Sequence, residues 1–288
     1  MQTPLVSILM TAYNRADYIG EAIESVLASS FTNFELIITD DRSTDDTVAI
    51  AKTYEQKDPR VSVFVNEVNL KDYPNRNKAA SYATGKYLKY LDSDDTIHHD
   101  GLAYCVEAME RFPEAGMGIL FFEKKYAEEE PICWLPEQIV RHQFFVRGCL
   151  NVGPSGCIYR RDIFDQLNGF DTRFGVASDN FFNIRLAAKF PVVLLPKVFF
   201  YYRVHEGQEF TNKSGYLKYN HLYMKELVHN VALPLTVEEI NILRSRLNKS
   251  FSKELIRHLF KTKKIAPVLS VMKETGFSLK DFAKGLLV

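Results

Sequence analysis

Apolar and polar positions repeat with two periods through the first hundred residues. Residues 5–11 form an apolar run rich in β-formers and broken only by Ser7, while residues 17–28 place Tyr18, Ile19, Ala22, Ile23, Val26 and Leu27 at helical spacing. A strand followed by an amphipathic helix is predicted. Residues 34–39 repeat the strand pattern, and Ser43 with Asp46 predicts a loose capping box for a helix reaching Lys57. A third strand is predicted over 61–65, a short helix over 75–84 ended by Gly85, and a fourth strand over 87–91. This β-α-β-α order predicts a sheet of parallel strands covered by helices on both faces.

Further along, residues 102–112 are helical by pattern and 116–122 are strand-like, and 128–145 is a mixed segment holding Pro131, Trp134 and Pro136. A short strand at 157–159 precedes a helix at 161–167, the turn Gly169-Phe170-Asp171, a helix at 179–189 and a return to β at 192–202. From residue 215 onward the pattern is helical, in three or four segments broken near Pro234, Pro267 and Gly276. Trp134 is expected to pack in the core or a lid, with stacking on a sugar face as the alternative.

Ligands of open α/β sheets bind beyond the carboxyl ends of the strands, so those exits carry the candidate chemistry. The first exit holds Thr11, Ala12, Tyr13, Asn14 and Arg15; the second holds Asp40, Asp41, Arg42 and Ser43; the fourth holds Asp92-Ser93-Asp94-Asp95. Three carboxyl groups at the exit of a buried strand repel one another unless something positive binds there. Hard oxygen ligands select Mg²⁺ or Mn²⁺, which keep positions open for phosphate oxygens. A metal-diphosphate site is one reading. A solvated acidic turn capping the next helix is the other.

Composition narrows the class. The 288 residues are 46% hydrophobic and 25% charged, which is globular rather than disordered. The 36 basic and 36 acidic residues are unevenly spread, with 14 basic against 6 acidic after residue 210, so the last quarter is a basic appendage on an acidic body. Four cysteines without a Cys-x-x-Cys pair suggest neither a zinc knuckle nor a redox dithiol. No basic leader or long apolar span is present, and a cytoplasmic protein is expected. Dinucleotide, P-loop and nucleic-acid-binding motifs are absent, so no nucleic-acid partner is expected.

The stretches 6–14, 34–47, Arg76-Asn77 and 85–95 occur in an order and spacing that resembles the family 2 glycosyltransferases of the GT-A fold. Fainter similarity continues through Gly169-Phe170-Asp171 and 179–187 and stops before the helical tail. The resemblance implies a mixed, mostly parallel α/β sheet in a GT-A domain over 1–210, with a nucleotide-binding half at 1–100 and an acceptor half at 101–210; the pattern and charge of 211–288 predict a basic helical subdomain beyond it. It implies an inverting, metal-dependent transfer of a sugar from a nucleotide-diphosphate donor, a UDP-sugar by preference, to an acceptor hydroxyl on a glycan or lipid-linked acceptor. Thr11, Tyr13 and Asp41 would receive the base, Arg76 would contact base or phosphate, and Asp92 would bind ribose or a metal-bound water. Asp94, with Asp92, would bind Mn²⁺ or Mg²⁺, and His205 of the element Tyr202-Arg203-Val204-His205 would approach the metal. Asp179 would be the catalytic base.

Two positions depart from the family pattern. Ser178 replaces the customary first acid of the pair that holds the base, which bears on acceptor recognition. Arg42 stands where glycine is usual, a change expected to be harmless if the backbone keeps φ below zero. Residues 151–156 resemble the loop beside the acceptor pocket. Competing readings are an inert sugar-nucleotide binding or scaffolding module, kept open by Ser178, and a sugar nucleotidyltransferase, disfavoured because 11–15 has no glycine-rich phosphate loop.

The tail carries Lys261, Lys263 and Lys264 beside Ile265, Val268 and Leu269. Such a basic amphipathic surface can lie on anionic lipid at the inner face of a membrane. The alternative is a helical subdomain packed on the enzyme or on a partner subunit of an oligomer.

Overall fold

Every residue of the first strand, β1 (Val6–Ala12), is buried except the half-buried Thr11. A strand that is apolar on both faces is stable only when both faces are covered. In the computed structural model, which describes residues 3–123, 130–205 and 213–287, helices supply that cover. After β1 come α1 (Ile19–Leu27), β2 (Phe34–Asp40), α2 (Thr47–Glu55), β3 (Val61–Val65), α3 (Asp72–Ser81) and β4 (Tyr87–Tyr90). The chain continues through β5 (Thr96–Ile97), α4 (Gly101–Arg111), β6 (Met117–Leu120), β7 (Ile132–Trp134), α5 (Pro136–Phe145), β8 (Cys157–Arg160) and α6 (Arg161–Gln166). It ends with α7 (Ser178–Ala187), β9 (Val192–Leu195), β10 (Phe200–Tyr201), α8 (Lys213–Asn230), α9 (Val237–Thr262), α10 (Ile265–Thr275) and α11 (Leu279–Leu287).

Eight strands form one sheet in the order β3-β2-β1-β4-β8-β6-β9-β7, and β5 pairs with β10 in a separate ribbon. The first four run parallel; β8 is antiparallel to β4 and to β6, β9 is parallel to β6, and β7 closes the edge antiparallel to β9. This is the mixed, mostly parallel α/β arrangement expected. On one face Tyr90, Tyr159, Phe164, Phe170 and Phe182 pack as a ring cluster, with Tyr159 and Phe182 5.4 Å apart edge to face. The other face is sealed by the buried sides of α1 and α4, including Ile19, Ile23, Leu102 and Met109.

Local chemistry moved several expected boundaries. No capping box starts α2: Asp46 makes no side-chain cap, and Asp45 accepts the Thr47 N–H at 3.0 Å instead. The third helix begins at Asp72 rather than 75, with Pro74 in its first turn, where a missing N–H leaves no bond unmade. Residues 192–202 hold two strands because Pro196 cannot donate to a ladder. In the tail, Pro267 lies inside α10; the break falls at Lys263, whose φ of 54° is left-handed. The boundary expected at residue 210, and the first two residues of the mixed segment, lie outside the described residues.

α8 packs against α7 and the turn Thr172–Ala177, and Tyr223, Leu227, Val228, Leu233 and Leu243 join the same core as the ring cluster. The remaining helices close around Leu217, Phe251, Leu255, Val268, Met272 and Phe277. There His221 stacks on Phe251 at 3.8 Å, and burial pushes it down to about 4. All four cysteines are free thiols. No helix among the described residues is long and apolar enough to cross a membrane.

Gly85 sets the approach of β4 to β1. A β-carbon there would stand 2.6 Å from the Ser7 backbone nitrogen, and the Gly85 N–H donates to Ser7 Oγ at 2.8 Å. Gly85→Ala is expected to destabilise the fold by about 1–3 kcal/mol through overpacking, read as a lower denaturant midpoint at unchanged slope.

Candidate functional site

The exits of β1 and β2 are laced together by side chains that accept backbone donors. The Asn14 N–H donates to Ser43 Oγ at 2.8 Å, the Arg15 N–H to Thr47 Oγ1 at 2.7 Å, and the Thr44 N–H to Asn14 Oδ1 at 2.8 Å. Asn14 pays for this turn with a left-handed φ of 51°. Asp41 is 4% exposed and holds the loop after β3: Oδ1 accepts the Leu70 N–H at 2.7 Å and Asn66 Nδ2 at 2.9 Å, and Oδ2 accepts the Lys71 N–H at 2.8 Å. With two acceptor positions on each oxygen, these protein donors leave Oδ2 one position for a ligand.

The acidic cluster leaves β4 where side chains from three segments converge, Arg15 after β1, Arg76 on α3, and Arg203 and His205 after β10. One oxygen each from Asp92, Asp94 and Asp95 lie within 4.8 Å of one another. Asp94 Oδ2 meets Arg15 Nε and His205 Nε2, both at 2.9 Å, and the His205 ring stacks on Tyr18 at 4.7 Å. Asp92 Oδ1 meets the Arg76 guanidinium at 2.7 Å. The Arg203 Nε donates to the Asp94 carbonyl at 3.0 Å and its backbone N–H to Asp95 Oδ1 at 3.1 Å. Asp95 Oδ2 is buried without a hydrogen-bond partner, and burial, followed by the charge of Asp92, pushes this carboxyl up to about 7. Three convergent carboxylates with a buried orphan oxygen suit a hard divalent cation.

Behind the cluster, Lys89 on β4 is fully buried and donates from Nζ to the carbonyls of Tyr90 and Ser155, each at 2.6 Å. Ser155 Oγ in turn accepts the Asp92 N–H at 3.0 Å. The loop 153–156 is thereby fastened to the strand exit.

Asp179 opens α7 at 8% exposure and accepts the Asn180 N–H at 2.7 Å. Burial pushes its carboxyl up to about 7, against the Asn180 N–H and Tyr73, which favour the charged form. Asn77 fixes the position of this helix relative to α3. Its Nδ2 donates to the Phe170 carbonyl at 2.8 Å while its Oδ1 accepts the Phe170 N–H at 3.0 Å. Gly169 beside it has φ +62°, and a β-carbon there would stand 2.8 Å from Asn77 Oδ1.

Thr11, Tyr13, Asp41, Arg76, Asp92, Asp94 and Asp179 all line one cleft of about 650 Å³. His205 stands behind Asp94 rather than on the cleft wall. Ser178 is fully buried, with Oγ donating toward the carbonyls of Asp171 (2.9 Å) and Gly175 (2.7 Å), so it shapes the turn and does not face the cleft. Arg42 corrects the expectation for its position: φ is +67°, a strain of about 1 kcal/mol, and the guanidinium donates to the Glu67 carbonyl. Trp134 packs on Phe121 at 5.6 Å and on His142 at 5.1 Å, away from the cleft.

Sequence reasoning missed Asn69, Lys71, Tyr73, Asn75, Val176 and Tyr216 on the cleft wall. Arg15 was named at the exit of β1 without a role, and it reaches Asp94. Lys71 and Tyr216 come from a loop and from the tail, which carry no local signal.

Residues 7–167 match the family described as Glycosyl transferase family 2. The putative teichuronic acid biosynthesis glycosyltransferase TuaG of Bacillus subtilis is 43% identical over 106 residues, 37% of this chain and 42% of that protein. The chain spans less than half the length of the first curated relatives it matches. Among solved structures, the mannosyltransferase PcManGT from Pyrobaculum calidifontis in complex with GDP-Man and Mn²⁺ aligns over 100% of this chain and 79% of its own with a TM-score of 0.68, and S. aureus TarS 1-349 in complex with UDP aligns over 88% and 71% with a TM-score of 0.64. Identities of 16% and 20% make these likenesses of fold.

Proposed function

The chain belongs to glycosyl transferase family 2, and from that premise we propose that it is an inverting, metal-dependent glycosyltransferase using a nucleotide-diphosphate sugar, a UDP-sugar by preference. Its acceptor hydroxyl would belong to a glycan or lipid-linked acceptor in cell-surface polysaccharide synthesis, in line with the teichuronic acid role in the name of TuaG. One observation carries the reading: side chains from both ends of the family match, and Asp179 beyond it, line a single cleft.

In this reading Tyr13, 46% exposed, offers its ring to the base, and the remaining acceptor position of Asp41 suits one imide N–H of uracil. Asp92, Asp94 and Asp95 would hold Mn²⁺ or Mg²⁺, with His205 behind Asp94. A bound divalent ion neutralises the charge that builds on a departing nucleoside diphosphate. Arg76, already paired with Asp92, directs a second positive group to the same place. Asp179 takes the proton of the acceptor hydroxyl as that oxygen attacks the anomeric carbon; the bond to the diphosphate breaks on the opposite side, which inverts the carbon. A carboxyl raised to about 7 is well matched to this task, being basic enough to accept a proton yet about half ionised at neutral pH. Ser178 is turned into the fold, bonded to the carbonyls of Asp171 and Gly175, and leaves Asp179 as the acid of this segment on the cleft.

The reading includes a cytoplasmic location with peripheral contact at the membrane. It is supported by the corner between α9 and α10, where Phe260 (77%), Ile265 (61%) and Leu269 (52%) are exposed among Lys261, Lys263 and Lys264.

Asp179→Asn is expected to lower transfer by about 10²- to 10⁴-fold with nucleotide affinity retained, whereas Asp94→Ala weakens both Mn²⁺ and donor binding; calorimetry beside a transfer assay separates the two. Equal turnover in wild type and Asp179→Asn would remove the base assignment. Because protonated Asp179 cannot accept a proton, kcat/KM should fall on the acid side of a limb centred near pH 7. The protonated form is also the one burial favours, so this group's contribution to stability is present at low pH and lost as pH rises through about 7. Flotation with anionic liposomes should retain the protein, and Lys261→Glu with Lys264→Glu should release it; no retention of wild type would end the membrane reading.

A further inference from the structure

α8 carries Tyr216, Tyr219 and Tyr223 at i, i+3 and i+7, which places all three on one helical face. Two of the rings anchor that face to the segment bearing Asp179. Tyr223 is buried in the main core, and the Tyr219 ring occupies the space above Gly175, where a β-carbon would stand 2.6 Å from it. Gly175 has φ +48° as well, so both backbone and space at this point are committed to receiving α8. Val176 follows immediately and lines the cleft, and Asp179 lies one helical turn further on. The third ring, Tyr216, is half-buried and reaches the cleft wall.

Pro154, Val176, Tyr202 and Tyr216 line the same cleft as Asp179, and the buried Tyr223 of α8 lies close enough to Asp179 to feel its charge. These apolar and ring surfaces differ from the surroundings of Asp41, whose carboxylate is met by backbone and amide donors. An aromatic face next to a proton acceptor fits a ligand that offers C–H surface on one side and hydroxyl groups on its edge, which is the chemistry of a sugar ring.

We propose that Tyr216, delivered by the C-terminal helices, forms the wall of an acceptor subsite beside Asp179 and that its ring packs against a saccharide unit of the acceptor. This rests on the reading of Asp179 as the base. Residue 216 lies beyond the 7–167 family match, so the acceptor end would be set by a part of the chain outside that match. The tail then has a direct part in substrate recognition.

The test uses the full chain with Mn²⁺ and UDP, and methyl glycosides of the common hexoses and N-acetylhexosamines as probes. Saturation-transfer NMR reads glycoside binding, and calorimetry reads UDP. Wild type should bind at least one glycoside at millimolar concentration; Tyr216→Ala should weaken it about tenfold with UDP affinity unchanged, and Tyr216→Phe should restore it. Tyr216→Leu, which keeps apolar bulk without the aromatic face, serves if the alanine variant melts early and should also lose the signal. Glycoside binding unchanged in the alanine or leucine variant, parallel loss of UDP affinity, or no glycoside bound by wild type that binds UDP would each overturn the subsite. Failure of wild type to bind either UDP or GDP would instead strike at the glycosyltransferase reading itself.

Discussion

Three carboxylates whose oxygens lie within 4.8 Å at the end of one buried strand are the constraint on which the rest of the site depends. At an effective dielectric of about 20, two like charges 4 Å apart repel by about 4 kcal/mol, so the cluster exists only because compensating charge is built around it. Arg15 comes from the exit of β1, Arg76 from α3, and Arg203 and His205 from the chain after β10. The sheet order makes this possible by putting β4 between β1 and β8, so that chain from both halves of the fold ends beside it. Asp95 accepts the Arg203 backbone N–H, and burial with the charge of Asp92 still pushes it up toward neutral pH. A partly neutralised cluster with one orphan oxygen is already organised for a divalent ion.

Burial also acts on Asp179: it is the main cause that holds this carboxyl high, with the charge of Asp72 adding to it and the Asn180 N–H, Tyr73 and Arg76 opposing it. At Asp95 burial is likewise the first cause, followed by the charge of Asp92. Lys89 joins the two regions through the backbone, since its ammonium holds the Ser155 carbonyl while Ser155 holds the Asp92 N–H. Pro154, on the cleft wall, is consequently held in a loop that is fastened to Asp92.

Much of this was legible in the amino-acid order because buried parallel strands leave continuous apolar runs, and β3 spans the same residues that its pattern predicts. The residues at strand exits were legible for the same reason: once a strand is located, topology assigns its end to the cleft. What was not legible depends on contacts between distant segments. Ser43 and Asp46 have the spacing of a capping box, but Ser43 Oγ is taken by the Asn14 N–H from another loop. Arg42 in place of glycine would have been harmless at negative φ, but its φ is +67°, a value the residue type gave no sign of. Pro267 suggested a break that a first helical turn absorbs without cost. Tyr216 had no signal at all, because its place on the cleft wall is decided by Tyr219 settling over Gly175.

The paired bonds between Asn77 and Phe170 restrict which side chain can occupy position 77. The site asks for a donor and an acceptor held a fixed distance apart and in one plane, which only a carboxamide provides. An aspartate would set a carboxylate against the Phe170 carbonyl, a serine would be too short to satisfy both ends, and a glutamine would overshoot by a methylene. Helix α3 and the turn leading toward Asp179 are thus joined by a coupling with a one-letter vocabulary, and evolutionary drift elsewhere in either segment can proceed without parting them.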